Sequence, residues 1–331
     1  MSKLLPLLAA VLGALALLAP ATAPVEAKEA PAYIALGDSL AFGVGASDPA
    51  ALGYVGVTHN ALARSDRYAG RGLEVVNLGV PGATSYDLLL PGGQLDKAIE
   101  EANERREDDT SADDNVEIVT LNIAGNDILG LGGEGSPCLA DPLSRGCQEM
   151  YQGMLDELEG NVKQVLQRLR EAAPRADIIV LDMYSPLSGR GGPADLIAGF
   201  ALEGLNAATE RAVSEADVGA KMARVYPVFR GHAQELVAAD NLHPNDDGHA
   251  LMSEVVLATI EGRAPELPEG LGSPVAVEEL SQEPRGEGGL IPVAQQGDDE
   301  SSVPLLLAIG IPAALLGMAA AAGMYLTARG R

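Results

Sequence analysis

The sequence predicts an α/β fold, a three-layer α/β/α sandwich around a central, mostly parallel sheet of five strands. Two observations predict it. Short apolar runs alternate with longer segments of helical spacing, which is typical of a parallel sheet with helices on both faces. The region between two charge-free apolar ends, residues 28–262, also has the length of one domain of this class.

Five short apolar runs are predicted as strands, the last more weakly than the others: Tyr33–Leu36, Leu73–Leu78, Val116–Asn122, Asp177–Met183 and Met222–Val225. Helices are predicted between and after them, at roughly Val55–Ala63, Gln94–Glu107, Glu149–Ala173, Asp195–Ala216 and Gly248–Glu261. The third helix has one apolar stripe and is stopped by Pro174. Asp246 or Asp247 is the predicted N-cap of the last helix.

The amino-terminal end of the chain is predicted to be a secretory signal peptide, residues 1–27. Residues 4–20 form an apolar, charge-free stretch after Lys3, and small residues follow it. This order is typical of a signal peptide, with cleavage after Ala23 or Ala27. An uncleaved membrane anchor is the alternative that the same pattern leaves open.

The carboxyl-terminal end is predicted to be a transmembrane helix, residues 303–328, which carry no charged side chain. At about 1.5 Å per residue this segment would reach ~39 Å, more than a bilayer core of about 30 Å. Acidic residues precede it, and Arg329 and Arg331 follow it in a basic tail, residues 329–331. The positive-inside rule therefore predicts a single-pass protein of the cell membrane, with a cytoplasmic tail and an extracytoplasmic domain. Residues 263–302, rich in Pro, Gly, Glu and Gln, are predicted to be a flexible linker.

The charge and the cysteines narrow the function further. A formal net charge of −25 argues against binding to nucleic acid, which requires a basic surface. Cys138 and Cys147 lie in a loop rich in glycine and proline, and in an oxidising compartment we expect them to form a disulfide. Two cysteines without a nearby histidine would leave a zinc shell half empty. We expect a monomeric domain that needs no metal or other cofactor.

Polar residues follow four of the predicted strands, where ligands bind in an open parallel sheet. The first strand is followed by Gly37-Asp38-Ser39-Leu40 and the second by "NLGVPGAT", residues 77–84. The third is followed by Ala124-Gly125-Asn126-Asp127, and Asp240-Asn241-Leu242-His243 comes after the fifth and a connecting segment. Together these loops supply a serine, backbone donors, an amide and an Asp/His pair.

These groups are the ones that acyl transfer requires. A serine hydroxyl becomes a good nucleophile when a base takes its proton, and histidine can act as that base near neutral pH. An aspartate on the far ring nitrogen fixes the tautomer and stabilises the imidazolium. Donors placed around the developing oxyanion lower the barrier, and removal of one such donor costs about 2.7–4 kcal/mol.

The four motifs, in this order, resemble those of the GDSL or SGNH hydrolases, and the resemblance extends from Tyr33 to about Glu261. It implies a flavodoxin-like sheet, with Ser39 as the nucleophile and His243 as the general base. It also implies that Asp240 orients the histidine.

The same resemblance implies an oxyanion hole. Its donors would be the backbone N–H groups of Ser39 and Gly82 and the side chain of Asn126. Asp38 and Asp127 would support the loops that carry these groups, Asp38 by bracing the nucleophile loop.

Two positions depart from the family pattern. The third motif usually begins with glycine, and Ala124 stands there in this chain. Pro81 precedes Gly82, where a small polar residue is more common. Pro81 would stiffen the loop and has no N–H to donate.

Other features have simpler interpretations. His59, His232 and His249 match no family position, so we expect them to be structural or exposed. Residues 130–135 match the letters of a dinucleotide-binding fingerprint, but Ser136 and Pro137 follow them instead of a helix.

The predicted function is therefore an extracytoplasmic, membrane-anchored serine esterase or lipase that acts on a small-molecule or lipid ester. Two alternatives stay open. One is a deacylase or O-acyltransferase that acts on cell-envelope glycan. The other is a catalytically silent surface module that binds a lipid or a protein.

Overall fold

The computed structural model describes residues 30–105, 115–133, 135–141, 144–268 and 271. The predicted signal peptide, transmembrane segment and cytoplasmic tail lie outside these residues, and so does most of the predicted linker. Within the described ranges, none of the helices combines the length and apolar character that a membrane span requires.

The sheet contains five strands, and all of their pairings are parallel. The strands are β1 (Ala32–Gly37), β2 (Glu74–Asn77), β3 (Val116–Asn122), β4 (Asp177–Leu181) and β5 (Lys221–Ala223). Their order in the sheet is β2-β1-β3-β4-β5, which is the order of flavodoxin-like folds. Strands β1, β3 and β4 are almost wholly buried, as expected where both faces of a parallel sheet are covered.

Helices lie on both faces of this sheet. Their bounds are α1 (Ser39–Phe42), α2 (Pro49–Leu52), α3 (Tyr54–Ala63), α4 (Gln94–Glu104), α5 (Gly125–Gly130), α6 (Pro137–Ala140), α7 (Arg145–Ala172), α8 (Pro193–Ala216), α9 (Val225–Phe229), α10 (Ala233–Leu236) and α11 (Asp246–Glu261). A 3-10 turn spans Asp87–Leu89. Helix α7 packs against α4 and α8, and α11 packs against α3. Right-handed crossovers place these two groups on opposite faces, so the predicted α/β fold with a five-stranded parallel sheet is confirmed.

Side-chain caps set two helix starts that differ from those predicted from the sequence pattern. Helix α7 begins at Arg145, four residues before the predicted start, because the Ser144 hydroxyl accepts a hydrogen bond from the Cys147 N–H at 3.2 Å. Asn245, rather than Asp246 or Asp247, caps α11 and accepts from the Gly248 N–H at 2.9 Å.

The end of the fifth strand was also predicted wrongly. Strand β5 stops at Ala223, and Val225 already belongs to α9. The buried carboxylate of Asp182 accepts hydrogen bonds from the backbone N–H groups of Val225 (2.5 Å) and Tyr226 (2.8 Å). These bonds satisfy the first donors of the short helix, so the chain turns away from the sheet earlier than its apolar pattern indicates.

The start of α11 holds the segment that follows α1. His249 is fully buried, and its two ring nitrogens contact the Val44 carbonyl (3.0 Å) and the Tyr54 N–H (3.3 Å). Both carboxylate oxygens of Asp246 accept hydrogen bonds from Ser47 at 2.7 Å. His249 is therefore a structural residue that joins two segments about 200 positions apart in the chain.

We predict that Gly45→Ala lowers the free energy of unfolding by about 2–4 kcal/mol. Gly45 has φ +97°, and a Cβ there would lie 2.2 Å from the Pro244 carbonyl oxygen and 2.8 Å from the Cβ of His243. The control is Gly219→Ala, at φ +69° with nothing within 4 Å, which should cost only about 1–2 kcal/mol of backbone strain. Urea unfolding of both variants measures the difference, and equal losses would show that this contact does not constrain the fold.

Candidate active site

Three of the predicted residues form a continuous line of hydrogen bonds. The Nε2 atom of His243 lies 2.9 Å from the Ser39 hydroxyl oxygen, across a sequence separation of 204. Its Nδ1 atom lies 2.5 Å from Oδ2 of Asp240. The structure therefore brings the "GDSL" segment and the late Asp-x-x-His motif into direct contact.

The loop that presents Ser39 depends on a close approach of two backbones. Gly37 has φ +148°, and a Cβ there would lie 2.1 Å from the Asn122 carbonyl oxygen, so only glycine fits. Asp38 then caps α1, because its carboxylate accepts from the Leu40 N–H at 2.9 Å. Burial raises the pKa of Asp38 to about 7, although the Leu40 N–H favours the charged form. Asp38 thus caps the short helix that begins at Ser39.

Gln94, the first residue of α4, holds the end of β1 in place. Its Oε1 accepts from the Gly37 N–H at 2.9 Å, and its Nε2 donates to the Gly37 carbonyl at 2.8 Å. The side chain is buried, so this pair of bonds holds the backbone two residues before Ser39 without water. The sequence pattern places Gln94 only at the start of a helix and gives no sign of this role.

The environment of Asp240 keeps its carboxylate charged. Partial burial raises its pKa, but hydrogen bonds from the His243 ring and from the backbone N–H groups of Leu242 and His243 lower it more. The resulting pKa is about 2. The carboxylate is therefore negative over the whole neutral range, opposite the ring nitrogen of His243.

Tyr184 holds the loop that carries His243. Its hydroxyl donates to the Leu242 carbonyl at 2.5 Å, and its ring stacks on Phe229 with centroids 4.5 Å apart. Arg190 adds a hydrogen bond to the Asn241 side chain at 2.8 Å. Tyr184 was missed from the sequence, although it follows β4 at the carboxyl edge of the sheet. Ligands bind beyond the carboxyl ends of parallel strands, and this rule indicates the segment that contains Tyr184.

The loop after β2 makes a tight turn at Pro81 and Gly82. The Ala83 N–H donates to the Val80 carbonyl at 3.0 Å, and Gly82 has φ +88°. Proline at the second position and a glycine with positive φ at the third define a type II turn. The turn explains why this chain has Pro81 where a small polar residue is more common.

Three donors around one cavity are available for an oxyanion. Among the residues that the structure describes, the N–H groups of Ser39 and Gly82 have no hydrogen-bond acceptor. Asn126 Nδ2 donates to the Ala83 carbonyl at 2.8 Å, and a primary amide has a second N–H to give. Ser39, Gly82 and Asn126 all line the same cavity.

Asp127 joins the third loop to the second. Its carboxylate accepts hydrogen bonds from the Ser85 N–H at 3.0 Å and from the Ser85 hydroxyl at 2.5 Å. The same hydroxyl accepts from the Asn161 side chain at 3.0 Å. Asp127 therefore ties the loop of Asn126 to the segment that follows Gly82.

Ala124 adopts a conformation that usually belongs to glycine. It is fully buried and has φ +115° at the start of α5. The family pattern has glycine at this position, and glycine adopts a positive φ without the strain that alanine carries. The strain does not displace Asn126, which still lines the cavity.

The cavity has a volume of about 330 Å³. Its wall is mainly apolar, with Leu40, Pro81, Leu129, Met183 and Pro186 as the main apolar side chains. Ser39 and His243 line the same space. The arrangement suits an apolar chain held next to a reactive polar group.

The two cysteines form the predicted disulfide, Cys138–Cys147, with their Cα atoms 4.5 Å apart. It ties α6 to the first turn of α7. Both sulfur atoms are used in this bond, so neither is available to a metal. Within the described ranges, no group of three His, Cys, Asp or Glu side chains is arranged to hold a metal ion.

A parallel α/β sheet that gathers a hydrogen-bonded serine, histidine and aspartate at its carboxyl edge is the framework of an ester hydrolase. The chain belongs to the GDSL-like Lipase/Acylhydrolase family, whose profile matches residues 35–251. It is an enzyme of the GDSL esterase and lipase type, as its motifs predict.

Several known proteins are similar to this chain. The uncharacterized protein YpmR of Bacillus subtilis is 26% identical over 240 residues, which cover 71% of this chain and 84% of YpmR. The spore germination lipase LipC of Bacillus licheniformis is 24% identical over 235 residues, 70% of this chain and 97% of LipC. The crystal structure of the lipase Lip_vut3 from a goat rumen metagenome shares the fold, with a TM-score of 0.51 and 20% identity over 69% of this chain and 97% of that one.

We predict that Tyr184→Phe lowers kcat for ester hydrolysis about tenfold with little change in KM, because a loosened Leu242 lets the His243 ring leave its position. The control is Tyr151→Phe, which also removes a hydroxyl that donates to a backbone carbonyl, that of Ala201 at 2.8 Å. Both variants should lose about 1 kcal/mol of stability. Steady-state kinetics and urea unfolding check this, and equal kcat values in the two variants would refute a positioning role for Tyr184.

Proposed function

We propose that the protein hydrolyses carboxylic esters through an acyl-enzyme intermediate on Ser39. The observation that carries the proposal is the line of hydrogen bonds from Asp240 through His243 to Ser39 beside the cavity. In this line the serine hydroxyl donates to Nε2 of His243, and Nδ1–H of the ring donates to the Asp240 carboxylate.

In the first half-reaction, the Ser39 oxygen attacks the ester carbonyl while His243 takes the hydroxyl proton. The charge that develops on the ring is stabilised by the ionised Asp240, whose pKa is about 2. The tetrahedral intermediate then collapses, and the alcohol leaves with the proton that His243 returns to it. The acyl group stays on Ser39.

In the second half-reaction, His243 takes a proton from water, and the resulting hydroxide attacks the acyl carbonyl. The acid leaves, and Ser39 regains its proton. In both steps the carbonyl oxygen becomes negative, and we assign its stabilisation to the N–H groups of Ser39 and Gly82 and the free N–H of Asn126. Each such donor contributes about 10²–10³-fold to the rate of similar reactions.

The proposed substrate is an ester with an apolar acyl group, which includes lipid esters. The apolar wall of the cavity supports this choice. The name of the relative LipC, a spore germination lipase, points in the same direction. The cavity of about 330 Å³ lies at the small end of the range for ligand sites, so it suits one acyl chain rather than a whole lipid.

We also propose that the enzyme works outside the cytoplasm, anchored to the cell membrane. The support comes from the apolar segments at residues 4–20 and 303–328 and from the arginines after the second one. The disulfide between Cys138 and Cys147 is typical of an oxidising compartment.

Ser39→Ala tests the proposal. The variant should hydrolyse p-nitrophenyl esters at least about 10³-fold more slowly than the native protein, because it lacks the hydroxyl that carries the acyl group in the proposed reaction. The control is Ser214→Ala, which removes a hydroxyl from an exposed position on α8 and should keep full activity. Circular dichroism checks that both variants fold, and full activity in folded Ser39→Ala would disprove the assignment.

A further inference from the structure

Large apolar side chains that are exposed to solvent are concentrated at one edge of the domain. Among the residues that the structure describes, nine such side chains are exposed. Eight of them lie in the loops and short helices that follow the strands, or in the first two turns of the long helices α7 and α8, at the carboxyl edge of the sheet: Phe42, Leu52, Val80, Tyr86, Leu90, Met150, Leu196 and Phe200. The exception is Val75, within the edge strand β2. We call these eight residues the apolar rim.

Leu196 and Phe200 are the most exposed members of the rim, at 67% and 66%. They lie four positions apart in the first two turns of α8, so they share one face of that helix. The packed face of α8 is formed by other residues, among them Ala198, Leu202 and Leu205, which are buried. Leu196 and Phe200 are therefore apolar side chains that the fold itself does not require.

The rim lies on both sides of the cavity. Strands β2 and β4 flank β1 and β3 in the sheet, so the loops after β2 and β4 flank the loops that carry Ser39 and Asn126. Val80 belongs to the loop after β2, next to the cavity residue Pro81. The loop after β4 contributes Pro186 to the cavity and leads into α8 with Leu196.

We propose that the apolar rim docks on an uncharged lipid bilayer and so presents the cavity to acyl esters held in that bilayer. The inference rests on the proposed ester hydrolysis and names its substrate as a membrane-borne lipid ester. Exposed apolar side chains gathered at the edge that holds a binding cavity point to an interaction site. The net charge of −25 repels an anionic surface, so the occupant is a lipid surface without net charge.

The segment between the domain and the proposed membrane anchor is long enough for the rim to face the same bilayer. Helix α11 starts beside the site and ends about 24 Å away, at 1.5 Å for each of its 16 residues. Beyond its end the described chain turns back along α11, where the Glu266 N–H donates to a Glu254 carboxylate oxygen at 2.7 Å. Residues 272–302, about 30 in number, would span roughly 30 Å on average as a flexible linker. If residues 303–328 form the proposed membrane anchor, the rim can thus face that bilayer without a stretched linker.

The test uses the full chain in phosphatidylcholine vesicles, with a polarity-sensitive NBD fluorophore on a cysteine introduced as Leu196→Cys. Both native cysteines are in the disulfide, so the label is specific. The control is Val75→Cys, an exposed apolar position (39%) outside the rim. We expect spin-labelled lipid to quench the probe at position 196 at least about threefold more than the probe at position 75. Equal quenching by the lipid overturns the proposal.

Two further arms separate docking on lipid from catalysis and from self-association. Ser39→Ala, added to the labelled chain, should leave the quenching unchanged, so a failure of the proposed chemistry stays distinct from a failure of docking. Tenfold dilution of the protein at constant lipid should also leave it unchanged. Loss of quenching on dilution would mean that a second copy covers the rim, and this outcome too overturns the proposal.

An activity arm uses Leu196→Ser with Phe200→Ser in one chain. We expect the ratio of activity on a vesicle-embedded ester to activity on a soluble p-nitrophenyl ester to fall about tenfold. Val75→Ser should leave the ratio unchanged. A similar loss on both esters would show that the rim serves folding rather than docking, and would contradict the proposal.

Discussion

The contact between the Ser39 hydroxyl and the His243 ring, 2.9 Å apart, is the interaction on which the rest of the site depends. The two groups are 204 positions apart in the chain, so tertiary structure alone brings them together. His249 is one of the residues that join the two segments, because it is buried and bonded to the Val44 carbonyl and the Tyr54 N–H. Gly45 allows the two segments to approach where any Cβ would meet Pro244.

The site residues divide into reactive groups and groups that hold backbone. Ser39, His243 and Asp240 carry the proposed chemistry, whereas Gln94 and Tyr184 bond to carbonyl or N–H groups of neighbouring segments. The second kind sets the distances between the first kind, and a shift of about 1 Å in such an arrangement can cost 10²-fold in rate. The proposed rim has a third role, because it would place the whole site against a lipid surface.

The sequence indicates the residues that the structure brings together at the site, but it does not indicate the residues that hold them in place. The residues of the proposed chemistry belong to short motifs that follow strands. A long buried strand such as β3 can be predicted from its continuous apolar run. Gln94 and Tyr184 carry no motif, since a backbone hydrogen bond can be made by many side chains from many directions. Element ends were missed for a related reason: the caps from Asp182 and Ser144 depend on tertiary contacts or local loop geometry that apolar periodicity does not encode.

Labelling with a fluorophosphonate tests most directly whether the serine and the histidine act together. The probe forms a covalent bond only with an activated hydroxyl, so mass spectrometry of the labelled peptides identifies the nucleophile. We expect one adduct, on the peptide that contains Ser39, and a labelling rate at least about 10³-fold lower in His243→Gln. Rapid labelling in folded His243→Gln, or an adduct on a different serine, would contradict the proposed pairing of the two groups.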